Sequence, residues 1–143
     1  MEQASHNKEM RFQNQIAVVT GAGRGIGRET ARILFEGGAR VVLVSRTGVE
    51  LRSTIKDFVS SRNSPQITKE KKRDKSNLFA IEADISNEKA VKSLFNQVKS
   101  EWGSVTILVN NAGWIKPTPL LKMTTAIFDQ HFAVNSRGTY LCT

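Results

Sequence analysis

Short apolar runs at residues 15–20, 40–45, 78–82 and 105–110 alternate along this chain with stretches whose apolar residues recur at helical spacing. Each run is too short for a helix and ends on glycine or a polar residue, the pattern of a strand buried on both faces. After the first run, Ile26, Thr30, Ile33 and Leu34 share one helical face, and Gly37 with Gly38 supplies a left-handed stop. After the second, apolar residues fall at 51, 55, 58 and 59. After the third, Ser86 or Asn87 can cap a helix whose buried face is Ala90, Val91, Leu94, Phe95 and Val98, with Gly103 as its end. Residues 123–143 read as a helix still running at the last residue. Strand and helix in strict alternation predict a doubly wound α/β fold: a parallel sheet covered by helices on both faces and joined by right-handed crossovers. Such sheets bind ligands at the carboxyl ends of their strands, where the chain direction switches.

The stretch TGAGRGIG, residues 20–27, lies at one of those ends. It is not a P-loop, because no glycine stands five positions beyond Gly21 or Gly23 and the Lys is absent. It is not the G-x-G-x-x-G dinucleotide turn either, since position 26 is Ile26. The spacing that fits is T-G-x-x-x-G-x-G on Thr20, Gly21, Gly25 and Gly27. A turn of this kind lets backbone pass close to a pyrophosphate and aims helix N-terminal N–H groups at it, and side chains at Gly25 and Gly27 are expected to block that approach.

With these elements in place, the chain from Gln15 onward resembles the main branch of the short-chain dehydrogenase/reductase family, whose fold is a Rossmann-like three-layer α/β/α sandwich. TGAGRGIG is similar to the family's cofactor loop, which implies cofactor-binding roles for Gly21, Gly23, Arg24, Gly25, Ile26 and Gly27. Asp84 and Ile85, after the third strand, look like its adenine contact. Asn110, Asn111, Ala112 and Gly113 look like the NNAG motif that borders the cofactor, which brings in Asn110, Ala112 and Gly113. Asn135, in FAVNSRGTYLCT, matches the asparagine that holds a water in the family's proton relay, the one catalytic position implied here.

The second strand bears on the choice of nicotinamide cofactor. An NAD-selective site of this type carries an acid near the end of that strand, on the ribose 2′-hydroxyl. Position 45 is Ser45, followed by Arg46, and Arg24 lies in the glycine turn. A guanidinium can grip a 2′-phosphate with paired N–H donors, and with no carboxylate at position 45 to repel it NADP is expected, with NAD as the alternative.

The family's chemistry belongs to a serine and a Tyr-x-x-x-Lys pair. Tyr140 is the only tyrosine among the 143 residues, it sits on the asparagine helix, and no lysine follows Lys122. His131 reads as a helix-surface residue rather than a substitute base. The resemblance therefore implies an incomplete NADP-binding domain over residues 15–143, behind a polar extension at residues 1–14, interrupted after the fourth strand and its helix and lacking the catalytic part. The function implied for the whole is hydride transfer between NADP(H) and a ketone or secondary alcohol, the family member acting as a homo-oligomer, dimer or tetramer. The alternative is an inactive nucleotide-binding or subunit-interaction module.

Charge and composition narrow the partners. The net charge is +8, but six basic side chains against two acidic ones fall within residues 62–75, a Pro-containing stretch without apolar periodicity. It reads as a solvated loop, with a docking patch for an anionic partner as the alternative. No aromatic residue interleaves with those charges, so no nucleic-acid partner is expected. Runs such as residues 41–44 and 107–109 fall far short of the roughly 20 apolar residues a membrane span needs. The polar N-terminus lacks a secretory pattern, so a cytoplasmic location is expected. No Cys or His cluster has metal-ligand spacing, and the single Cys142 reads as a small buried residue.

Overall fold

The computed structural model describes residues 10–62 and 77–143. All but the first residue of the basic stretch at 62–75, together with both readings of it, lies outside the described residues. Strands β1 (Ile16–Thr20), β2 (Arg40–Ser45), β3 (Leu78–Glu82) and β4 (Ile107–Val109) form one sheet in the order β3-β2-β1-β4. Every pairing is parallel, with Val18 opposite Val42 on one side of β1 and opposite Leu108 on the other. The connecting helices are α1 (Gly25–Glu36), α2 (Gly48–Arg62) and α3 (Glu88–Glu101).

The pleat sorts the strand side chains into two cores. Ala17, Val19, Val41 and Leu43 face α1 and α2, meeting Ala31, Leu34, Phe35, Leu51 and Phe58. Ile16, Val18, Val42 and Val44 face the other way, toward Val91, Leu94 and Val98 of α3 and toward Cys142. Both faces of β1 and β2 are therefore covered, which is why these strands read as unbroken apolar runs rather than alternating ones. The chain winds outward from β1 through β2 to β3, then crosses back so that β4 joins the free side of β1. The carboxyl ends of β1 and β4 flank that reversal, and the glycine turn sits on it.

Three local expectations are corrected. The buried face of α1 is Gly27, Ala31, Leu34 and Phe35, while Ile26 is 79% and Ile33 53% exposed. The helix lies close on the sheet through its smallest residues, and that proximity turns the bulkier Ile26 and Ile33 outward; Thr30 spends its hydroxyl on the Ile26 carbonyl at 2.9 Å. Strand β4 is only three residues long. The final helix is not uniform: Thr124 caps α4 (Thr125–Phe132), a π-helical segment follows at Ala133–Gly138, and α5 (Thr139–Cys142) completes it.

Other expectations hold with a residue singled out. Of the two glycines ending α1, Gly38 takes the left-handed conformation at φ +96°. Asn87 caps α3, accepting from the Ala90 N–H at 3.1 Å. Ahead of β1, the Phe12 N–H donates to the Gly37 carbonyl at 2.8 Å and the Phe12 ring packs on the α1/α2 core.

Candidate cofactor site

The turn after β1 is held from three directions. Thr20, fully buried, accepts from the Asn111 and Ala112 N–H groups, both at 3.0 Å, and donates to the Val109 carbonyl at 3.3 Å. Asn111 returns its side-chain N–H to the Thr20 and Gly21 carbonyls at 3.0 and 3.2 Å. From the opposite side, buried Thr54 of α2 donates to the Gly23 carbonyl at 3.2 Å. Gly21 and Gly25 have φ of +67° and +57°, a region that costs a side chain roughly 1–2 kcal/mol.

So fixed, the turn walls a cavity of about 490 Å³ at the carboxyl ends of the strands. The turn contributes Gly21, Gly23, Arg24, Gly25 and Ile26; the end of β2 contributes Ser45, Arg46 and Thr47. Ala83, Asp84 and Ile85 follow β3, and Asn111, Ala112 and Gly113 follow β4. Gly27 and Asn110 stand outside this lining. A Cβ at Gly27 would strike the Asn111 side chain and the Gly21 carbonyl, so this glycine seats α1 against the turn rather than clearing a path for a ligand. The Asn110 side chain points to the Thr143 hydroxyl at 3.3 Å. Asp84 lines the cavity while its carboxylate accepts from the Ser86 N–H and hydroxyl at 2.9 and 2.7 Å, an arrangement that fixes the bend after β3.

Asn135 also lies off the lining. Its amide forms a two-bond clasp with the backbone of Trp114, accepting from the N–H at 2.8 Å and donating to the carbonyl at 2.9 Å. The clasp sits inside the π-helical segment, and the Asn135 carbonyl accepts from the Thr139 hydroxyl at 3.0 Å. His131 supports the same loop. Its ring meets Trp114 edge-on at 4.7 Å and its Nε2 accepts from the Lys116 N–H at 3.5 Å.

The cavity suits a phosphate-bearing ligand. Helix α1 starts with no side-chain cap and no acidic residue in its first turn, so its first N–H groups and its dipole are left for an anion. A Cβ built on Gly25 meets nothing within 4 Å, which leaves the turn open on the cavity side. Arg24 and Arg46 add positive charge.

A family model described as short chain dehydrogenase matches residues 15–143. The chain belongs to the short chain dehydrogenase family. Among curated family members it is 34% identical over 134 residues to a (2S)-[(R)-hydroxy(phenyl)methyl]succinyl-CoA dehydrogenase subunit, BbsD, of Thauera aromatica, covering 94% of this chain and 49% of that one. It is 32% identical to the trihydroxynaphthalene reductase PfmaI of Pestalotiopsis fici, covering 90% and 42%. Among solved structures, a metagenomic short-chain oxidoreductase in complex with NADP superposes with a TM-score of 0.77 at 34% identity, covering 92% of this chain and 54% of that one. A citronellol catabolism dehydrogenase of Pseudomonas aeruginosa, AtuB, gives 0.79 at 34% identity, with 94% and 49% covered. The chain thus spans about half the length of the curated family members it matches.

Sequence spacing missed Thr54, Glu50 and Val134. Thr54 could have been found, because a threonine among the apolar positions 51, 55 and 58 of a helix must satisfy its hydroxyl inside the fold. Glu50 and Val134 reach the cavity only through the way α2 and the π-helical segment are packed, and no fixed offset from the glycines announces them.

Proposed function

We propose that these residues form the cofactor-binding part of an NADP(H)-dependent oxidoreductase that interconverts a ketone and a secondary alcohol. The observation that carries this reading is the cavity itself: an uncapped helix N-terminus behind an open glycine turn, with Arg24, Ser45 and Arg46 in its lining. The dehydrogenase and reductase members that the chain resembles, and the solved neighbour in complex with NADP, support it. Gly21, Gly23, Gly25 and Ile26 take the pyrophosphate region, Ser45 and Arg46 the adenosine ribose and its 2′-phosphate, and Asp84 with Ile85 the adenine. Ala112 and Gly113 border the nicotinamide end. When bound, NADP(H) supplies or accepts the hydride.

Asn135 and His131 hold the loop after Gly113 in place, which keeps the nicotinamide end in register with the glycine turn. Proton exchange with the substrate oxygen needs an acid–base pair of the Tyr-x-x-x-Lys kind, which the 143 residues do not contain. The working protein is assigned to the cytoplasm as a homo-oligomer, dimer or tetramer, with a small carbonyl or alcohol substrate and no metal. Exposed Phe128 and Phe132, paired at 4.6 Å on α4, support an assembly contact. No helix among the described residues is long and apolar enough to cross a membrane.

Replacing Arg46 by Ala tests the cofactor assignment. NADPH binding is expected to weaken by about 1–2 kcal/mol, the lower part of the range for a hydrogen bond to a charged group because Arg46 is exposed. NADH binding is expected to stay as it was. Equal losses for the two cofactors in a calorimetric titration would remove Arg46 from the 2′-phosphate.

A further inference from the structure

The T-G-x-x-x-G-x-G pattern leaves position 23 free, yet Gly23 is buried and any side chain there would have to displace Glu50. A Cβ there would lie 2.6 Å from Oε2 and 2.8 Å from the Cβ of Glu50. Glu50 stands in the first turn of α2, and its side chain folds over Gly23 into the wall of the cavity. Thr54, one helical turn further on, binds the Gly23 carbonyl from a fully buried position, so the α2 face carrying both residues is locked onto the turn. Glu50 thereby lines the same cavity as Arg24 on the turn and Ser45, Arg46 and Thr47 at the end of β2. Among the described residues no ion pair joins it to Arg24 or Arg46. A half-buried carboxylate therefore lines, from the next helix, a cavity to which position 45 contributes none.

We propose that Glu50 is a specificity-determining residue of this site, one that disfavours a 2′-phosphate on the adenosine ribose and opposes the selectivity for NADP(H) supplied by Arg24 and Arg46. This rests on the cavity being the cofactor site. Two effects act in the same sense. A carboxylate repels a phosphate dianion placed in the same partly desolvated cavity. It also accepts from a free ribose hydroxyl, as the strand-end acid of NAD sites does. Either effect lowers the affinity ratio of NADP to NAD. The competing account is that Glu50 only complements the dipole of α2 from its first turn. In that case removing its charge alters stability and leaves the ratio alone.

The test is calorimetric titration of the protein and its Glu50→Gln variant with NADP⁺ and NAD⁺, and with 2′,5′-ADP and 5′-AMP, which differ only at the ribose 2′ position. The expected result is a rise of roughly fivefold in the NADP⁺ to NAD⁺ affinity ratio, the size of a partly exposed charge interaction, with the same shift for the shorter pair. An unchanged ratio in a variant that melts like the parent overturns the proposal while leaving the cofactor site standing. Failure of the unmodified protein to bind any of the four nucleotides overturns the site and this inference together. Should the Gln variant not fold, Glu50→Asp keeps the charge but draws it back by one carbon, and it is expected to shift the ratio less in the same direction. No shift there overturns the proposal as well.

Discussion

The glycine turn and the segment after Gly113 are both irregular stretches leaving a strand of the same sheet, and they are held in opposite ways. The turn is braced by buried groups: Thr20 and Thr54 are fully enclosed, and each spends its hydroxyl on backbone at or beyond the strand ends. The later segment is braced from outside. Asn135, its clasp on Trp114 and the Lys116 contact to His131 all involve exposed or half-exposed groups, and no residue of α4 is buried. Buried polar groups are costly to leave unmade, whereas exposed ones can turn to water. The turn should therefore behave as a rigid frame and the later segment as an adjustable border, a division that suits a site in which the phosphates stay fixed while the reacting end meets varied substrates.

The largest effect is expected at Thr20. Thr20→Val keeps the shape but removes the acceptor for two partly buried backbone N–H groups and the donor to the Val109 carbonyl, and should cost about 3 kcal/mol, measured by urea unfolding. A cost near zero would mean that water reaches the Asn111 and Ala112 N–H groups and that the frame is not sealed. Next comes Gly25→Ala. The φ of +57° makes any side chain strained by about 1–2 kcal/mol, and the new methyl projects into open cavity space, so stability and nucleotide affinity should fall together. Asn135→Ala should cost less, about 1 kcal/mol for two exposed hydrogen bonds, and its main effect should be faster amide exchange at Trp114 and Lys116. If Asn135→Ala proved as costly as Thr20→Val, the contrast between frame and border would not stand.

The same contrast separates what could be read from the sequence from what could not. Strand β2 falls on the expected residues because its central residues, enclosed on both faces, have to be apolar, a local property visible without the fold, and the half-buried edge strand β3 falls on its expected residues too. The glycines and the residues directly after β2, β3 and β4 were legible for a similar reason, since the carboxyl end of each strand fixes where its next residues lie. The face of α1 was misread. Counting apolar residues favours Ile26 and Ile33, whereas close approach to the sheet selects Gly27 and Ala31, and approach distance leaves no trace in hydropathy. Position 45 alone suggested that no carboxylate from the second strand opposes a 2′-phosphate, but Glu50 reaches the cavity from the next helix. The π-helical segment around Asn135 was unreadable as well, because the close approach of Gly138 to Ile85 and the burial of Val134 are tertiary features with no local signature.

The smallest expected effect concerns a buried residue near the end of the border. Cys142, on α5, is buried in the core shared by Val18, Val44 and α3, and burial pushes its thiol up from the ordinary range. Burial disfavours the thiolate, so the folded protein should react with a thiol reagent more slowly than the same protein in urea, and the rate should climb as pH passes the usual thiol range. The stability consequence has a definite sign. Because the folded thiol is the weaker acid, its contribution is fully present below the thiol range of the unfolded chain and declines as pH rises through the folded one. Labelling followed against pH and low concentrations of urea then reports on α5 alone. If Cys142 becomes reactive at urea concentrations that leave the β1–β2 amides protected, the border opens independently of the frame, as its exposed bracing implies. Exposure of both at one urea concentration would make them a single cooperative unit, with Cys142 as the tether that joins them.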